Sequence, residues 1–109
     1  ADGVVWFDFD TLCAGPRSTG DYIEIALCHH TIVLSDVPVM GTDASDSARR
    51  FINLIDELYD RNVNLVISAA VAAADLYTGT RLVQAYKRTA SRLREMQSHE
   101  YLAKPHLCD

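Results

Sequence analysis

The fold is decided by the stretch Thr31-Ile32-Val33-Leu34-Ser35-Asp36-Val37-Pro38. Its β-branched and apolar residues occupy consecutive positions, which is typical of a strand in a parallel sheet that helices cover. Pro38 lacks the N–H group that a neighbouring strand would need, so strand pairing should stop there. The stretch therefore predicts a buried strand of a parallel sheet.

Two further strands are predicted on either side of this one along the chain. Residues 4–9 and 63–68 are short apolar runs that are rich in β-forming side chains. Because both runs are separated from the central strand by long segments, neither can pair with it through a tight hairpin turn.

Three helices are expected between and after the strands. The first begins at Ser18, which with Asp21 resembles a capping box, and His29-His30 ends it. The second covers residues 44–60 and the third residues 80–98. The second helix carries its apolar stripe on Ala48, Phe51, Ile52, Ile55, Leu58 and Tyr59, and the third on Leu82, Tyr86, Thr89, Leu93 and Met96. The order β-α-β-α-β-α predicts one α/β domain over all 109 residues, with a small, mainly parallel sheet flanked by helices.

Length and composition exclude several classes of protein. A chain of 109 residues has room for one domain, and its 49% hydrophobic residues are too many for a disordered chain. The net charge of −5 disfavours binding to duplex DNA. No apolar run approaches the ~20 residues that span a bilayer. The start Ala1-Asp2-Gly3 has no initiator Met, so we expect a piece of a longer protein.

The cysteines and histidines indicate neither a disulfide framework nor a metal site. The three cysteines form no CxxC pair, which favours free thiols in a reducing compartment. The four histidines do not fall at a metal-binding spacing. The sequence also contains neither GxxxxGK[ST] nor GxGxxG. We therefore expect no metal site, and no tight ATP binding by this chain alone.

The ends of the predicted strands carry polar residues that could act in catalysis or binding. In an open α/β sheet the functional edge lies beyond the carboxyl ends of the strands. Those ends hold Asp8, Asp10, Ser35, Asp36 and Ser68. The alternative is that Asp and Ser only cap turns at these positions, as they often do.

One short motif resembles a phosphatase. Phe7-Asp8-Phe9-Asp10-Thr11-Leu12 is similar to the first motif of the haloacid dehalogenase phosphatases, apart from a missing Gly after the second Asp. That resemblance implies Asp8 as a nucleophile and Asp10 as a general acid. A phosphatase-like hydrolase is therefore one alternative function, and an interaction module without chemistry is another.

Longer stretches resemble the C-terminal part of the ZapE family of P-loop ATPases. They are Trp6-Phe7-Asp8-Phe9-Asp10-Thr11-Leu12-Cys13, Gly15-Pro16-Arg17-Ser18, Leu34-Ser35-Asp36-Val37-Pro38, Ala48-Arg49-Arg50-Phe51-Ile52-Asn53-Leu54-Ile55-Asp56 and Arg88-Thr89-Ala90-Ser91-Arg92-Leu93-Arg94-Glu95-Met96-Gln97-Ser98. The resemblance covers essentially the whole chain, and its arginine-rich end is the most specific part.

The resemblance implies a longer parent ATPase. Its Walker motifs would lie before residue 1 and bind ATP and Mg²⁺, while this fragment alone would be inactive. The family is linked to bacterial cell division, so the implied partners are the rest of the ATPase chain, the division-ring protein FtsZ and, in the parent, further copies of itself. The implied location is the bacterial cytoplasm at the division site.

Two pairs of residues have a counterpart in P-loop ATPases. Asp36 and Ser68 end successive strands, as the Walker B acid and the first sensor do, although Val37 and Pro38 follow where a second acid would be needed. We interpret that pair as a structural similarity to the ATPase unit and not as a second active site. Arg88 and Arg92 share one helix face and suit contact with a phosphate or a partner, across domains or in trans. The alternative for the arginines is an ion pair within the domain, to Glu95, Glu100 or an Asp at a strand end.

Overall fold

Three parallel strands form the sheet of the molecule, which is described by a computed structural model over residues 3–97. The strands are β1 (Val4–Asp8), β2 (Thr31–Val37) and β3 (Asn64–Ala69), in the order β1-β2-β3 across the sheet. Both neighbours of β2 run parallel to it. The predicted α/β fold with a small parallel sheet is confirmed.

Each strand is followed by a helix: α1 (Thr19–Cys28), α2 (Ser45–Asp60) and α3 (Val83–Glu95). Shorter helical turns are a π-helical turn over Asp10–Ala14 and 3₁₀ turns over Thr42–Ala44 and Ala73–Asp75. Within residues 3–97, no helix is long and apolar enough to cross a membrane.

The hydrophobic core lies between the helices and one face of the sheet. Two right-handed crossovers that progress in the same direction across a sheet put their helices on the same side. In agreement, α2 contacts both α1 and α3. Ile32, Leu34 and Leu65 point into this core and are buried, whereas Trp6 and Val66 on the opposite face are exposed.

Most of the apolar stripe predicted for α2 is buried, and the helix also buries a residue outside that stripe. Ala48, Phe51, Ile52, Ile55 and Leu58 are all buried. Leu54, outside the predicted stripe, is also fully buried, and Tyr59 is only half-buried. The reason is that α2 contacts both α1 and α3, and its buried side chains share one core with those of the sheet.

Local signals fix two helix ends as the sequence predicts. Ser18 and Asp21 form a complete capping box at the start of α1. Asn62 follows α2 with φ of 55°, the left-handed conformation that ends many helices.

One predicted helix boundary is wrong. The last helix begins at Val83 instead of residue 80, because the Leu82 amide donates to the Tyr77 hydroxyl at 3.0 Å and Leu82 keeps a non-helical backbone. The end of the first helix agrees with the prediction: Cys28 is its last residue, and the extended His29 caps it with Nδ1 at 3.1 Å from the carbonyl oxygen of Ile25. Ser98, the predicted end of the last helix, lies outside the described residues.

We expect Phe51→Ala to lower the free energy of unfolding by ~3–5 kcal/mol, because the Phe51 ring is fully buried and lies 6.0 Å from the Phe9 ring between centroids. Chemical denaturation measures this change. Val39→Ala is the matched control, since Val39 is 43% exposed, and it should change stability by no more than ~0.5 kcal/mol. Equal losses in the two variants would contradict the placement of Phe51.

Candidate functional site

The carboxyl edge of the sheet holds the strand-end residues that the sequence singles out. Asp8 is the last residue of β1 and pairs in register with Ser35 of β2. Asp36 follows on β2, and Ser68 lies on the neighbouring strand β3. Asp8, Asp36 and Ser68 are exposed, so two carboxylates and a hydroxyl at this edge are accessible to solvent.

The Asp8 carboxylate serves the turn that follows it. Its Oδ1 accepts hydrogen bonds from the Thr11 hydroxyl at 2.6 Å and from the Thr11 amide at 2.9 Å. Both bonds favour the charged form and hold the pKa of Asp8 below its ordinary value; the bond from the hydroxyl has the larger effect and the bond from the amide the smaller. Asp10 lies inside the π-helical turn and is exposed. Asp8 is therefore an ionised cap of the turn that contains Asp10.

Asp36 has a conformational reason to be at its position. Its φ is 61°, in the left-handed region, where Asp and Asn are tolerated better than most residues. The register between β2 and β3 shifts at this point, between Leu34 and Val37. The irregularity in the strand therefore gives a conformational reason for an Asp at this position.

The arginine-rich helix α3 meets α2 in a cluster of charged side chains. The Arg92 guanidinium donates to the Asp56 carboxylate and lies over the Tyr59 ring, 4.8 Å from its centroid. The Arg88 guanidinium lies 3.8 Å from the same carboxylate. The Tyr59 hydroxyl donates to Glu95 at 2.9 Å, and this bond is the first cause of a raised Tyr59 pKa. We call these five residues the Asp56 cluster.

The two arginines are held to different degrees. The Arg92 side chain is 26% exposed, whereas that of Arg88 is 57% exposed. Arg92 has both a close hydrogen bond and an aromatic ring beneath it, while Arg88 has a longer ion pair with a carboxylate that already serves Arg92. Arg88 is therefore the arginine that an external anion can reach.

Two surface cavities border α3. The larger has a volume of about 430 Å³ and lies between β3 and α3, and the other, of about 360 Å³, adjoins Tyr77 and Tyr86. Arg94 lines both. The exposed side of α3 thus combines two cavities that have apolar linings with a positively charged side chain, Arg94.

Comparison with known proteins identifies the family. The family model for AFG1-like ATPases matches residues 1–105. The chain belongs to this family.

Proteins of bacteria and eukaryotes are similar to this chain in sequence. The chain is 50% identical over 99 residues to the cell division protein ZapE of Escherichia coli K12, a match that covers 91% of this chain and 26% of that protein. It is 38% identical over 74 residues to an uncharacterized protein of Schizosaccharomyces pombe, with coverages of 68% and 16%. It is 32% identical to lactation elevated protein 1 homolog B of Danio rerio, with coverages of 85% and 25%. No solved structure matches. The chain thus spans about a quarter of ZapE.

The described part of this AFG1-like chain does not fit ATP and Mg²⁺ by itself. Within residues 3–97, no group of three His, Cys, Asp or Glu side chains is close enough to hold a metal ion. The sequence also has no glycine-rich loop whose amides could cradle phosphates.

Sequence reasoning missed Asp56, the acidic partner of both arginines. The candidate partners were Glu95, Glu100 and strand-end aspartates, but the carboxylate comes from the helix α2. The contact joins residues that lie far apart along the chain. A signal was present, because Asp56 directly follows the apolar Ile55 and so borders the stripe that packs α2 into the core.

We expect Asp56→Asn and Arg92→Ala each to lower the free energy of unfolding by roughly 1–3 kcal/mol, because each removes the charged hydrogen bond between Asp56 and Arg92 and leaves a partly buried charge less well compensated. Arg88→Ala should cost less than ~0.5 kcal/mol, since its ion pair is largely exposed. Denaturant titrations of the single and double variants give the coupling energy of each arginine with Asp56. Equal coupling energies for the two arginines would contradict a stronger hold of Asp56 on Arg92 than on Arg88.

Proposed function

We propose that this chain is the C-terminal region of a longer ZapE-like ATPase and is not a complete catalytic unit. The observation that carries the proposal is the mismatch of lengths: the family match extends over residues 1–105, yet the chain corresponds to only 26% of ZapE. The missing phosphate loop supports it. ATP and Mg²⁺ would then be bound by Walker motifs in the preceding part of the polypeptide.

The cellular role that we propose follows from the relative. Escherichia coli ZapE is named as a cell division protein. By analogy, the parent of this chain would act in the bacterial cytoplasm at the division site, with FtsZ as a partner and with assembly into a homo-oligomer. These assignments rest on similarity alone and on no contact within the fold.

For this region we propose a specific contribution, a contact from Arg88 to the nucleotide phosphates bound by the rest of the parent. Arg88 is exposed and shares the Asp56 carboxylate with Arg92, so its charge is incompletely neutralised. Lys87 and Arg94 are exposed on the same helix and add positive charge. A guanidinium is suited to phosphate oxygens because it donates two parallel hydrogen bonds. Arg92 would hold α3 on α2 and so position Arg88.

We expect the 109-residue chain to give no heat of binding with Mg-ATP in calorimetry, and the intact polypeptide to bind Mg-ATP and hydrolyse it. The physical reason is the absence of a phosphate loop in this chain. Mg-ADP and ATP without metal serve as controls for the intact protein. A saturable site on the short chain, or an intact polypeptide without ATP turnover, would contradict the proposal.

In the intact polypeptide, we expect Arg88→Ala to lower kcat for ATP hydrolysis by a factor on the order of 10³, the size of effect for an arginine that stabilises phosphoryl-transfer charge. Arg81→Ala is the matched control, because Arg81 is exposed at the start of the same helical region and lies outside the Asp56 cluster. Co-sedimentation with FtsZ polymers is measured in parallel. Lost FtsZ binding with normal turnover would assign Arg88 to an acidic partner, and a change in neither would leave it a surface residue.

A further inference from the structure

The face of the sheet that points away from the helices carries a row of apolar side chains. In the strand register, Trp6 of β1 lies beside Val33 of β2, and Val33 lies beside Val66 of β3. Trp6 is 71% exposed and Val66 55% exposed. Val4 lies on the same face, two residues before Trp6, and is 63% exposed. We call Val4, Trp6, Val33 and Val66 the open sheet face.

The polar atom of this face is already satisfied within the sheet. The Trp6 indole N–H donates to the Ser35 hydroxyl at 3.0 Å. That nitrogen is the only hydrogen-bonding group of a Trp side chain. The ring could therefore be covered by another apolar surface without leaving a buried donor unpaired, which is the usual cost of burying Trp.

An open face is unusual for this type of sheet. Parallel sheets occur almost only with both faces covered, because their crossover connections bring helices to them. Here α1 and α2 pack together on one face, and the opposite face remains exposed within residues 3–97. A tryptophan exposed beside two valines is the kind of patch that marks a contact surface.

The width of the open sheet face matches the diameter of a single α-helix. Neighbouring strands lie about 4.8 Å apart, so the distance from β1 to β3 is about 10 Å. An α-helix with its side chains has a diameter of about 10–12 Å. One amphipathic helix laid on the sheet would thus contact the row formed by Trp6, Val33 and Val66.

The size of the face favours an occupant from the same polypeptide over a second copy. Its few apolar side chains expose on the order of a few hundred Å², whereas a stable interface buries about 800 Å² on each partner. A segment in the same chain needs less area, because the covalent connection gives it an effective concentration in the millimolar range. The relatives offer such a segment, since this chain spans only 26% of ZapE.

We propose that an amphipathic helix from the remaining part of the parent polypeptide packs on the open sheet face. The inference rests on the proposed function in one respect, namely that the chain belongs to a longer polypeptide. It does not depend on Arg88 or on nucleotide chemistry. The helix contributes apolar side chains over Trp6 and completes the second covered face of the sheet.

Hydroxyl-radical footprinting of the intact polypeptide tests the proposal at Trp6. The oxidation rate of Trp6 in the native protein is compared with its rate in the same protein unfolded in urea. We expect protection on the order of tenfold or more if a helix covers the ring. Without a cover, an exposure of 71% leaves the two rates within about twofold. Val39, 43% exposed and away from this face, is the internal reference and should show little protection.

Substitutions give an independent measurement in the same polypeptide. Trp6→Lys and Val66→Lys should lower the melting temperature by roughly 4 °C or more, since each places a charge in an apolar contact. Val83→Lys is the matched control, because Val83 is 37% exposed on α3, and it should shift the melting temperature by about 1 °C or less. Equal shifts in all three variants would overturn the proposal.

The remaining outcomes separate the alternatives. Trp6 protection that disappears on dilution, together with dimers in sedimentation, would assign the face to a second copy and overturn the proposal. An unprotected Trp6 in a polypeptide that hydrolyses ATP would overturn it while leaving the proposed function intact. A protected Trp6 in a polypeptide without ATP turnover would support the inference and contradict the proposed function.

Discussion

Parallel pairing on both sides of β2 is the constraint on which the rest of the structure depends. Parallel strands cannot be joined by a tight turn, so each connection must cross over the sheet through a dozen or more residues. Two right-handed crossovers in the same direction then bring α1 and α2 to one face. The same geometry gathers Asp8, Ser35 and Ser68 at one edge and leaves Trp6 on the face that the crossovers do not reach.

The Asp56 cluster shows how one carboxylate can serve two purposes. Asp56 fixes Arg92 against the Tyr59 ring, and this contact ties α3 to α2. The second guanidinium, on Arg88, shares the same negative charge at a longer distance. The more buried Arg92 thus supports the helix turn that carries the more exposed guanidinium of Arg88. Such an arrangement suits the phosphate contact proposed for Arg88, because binding energy is not lost in ordering the support.

The sequence predicts what depends on local patterns and misses what depends on distant contacts. The period of α2, the Ser18 capping box and the left-handed Asn62 are encoded in neighbouring residues, and all three are present. The start of α3 could not be predicted, because it depends on a hydrogen bond from Leu82 to the Tyr77 hydroxyl. The pairing of Asp56 with both arginines and the side of the sheet that stays open likewise depend on how whole elements pack. The chemical roles of Asp8, Asp10, Asp36, Ser68, Arg88 and Arg92 stay predictions.

The strand order β1-β2-β3 also has a consequence for solubility. Within residues 3–97, β1 and β3 each have a neighbour on one side only, so their other backbone groups can pair with a strand of another molecule. Natural proteins limit this hazard with short edge strands, charges and irregularities in the ladder. Here β1 has five residues and ends in the ionised Asp8, and the register shift near Asp36 interrupts the ladder that includes β3. These features protect the ends of the edge strands, while the middle of β1, around Trp6, has neither a charge nor an irregularity and stays open to pairing with another strand.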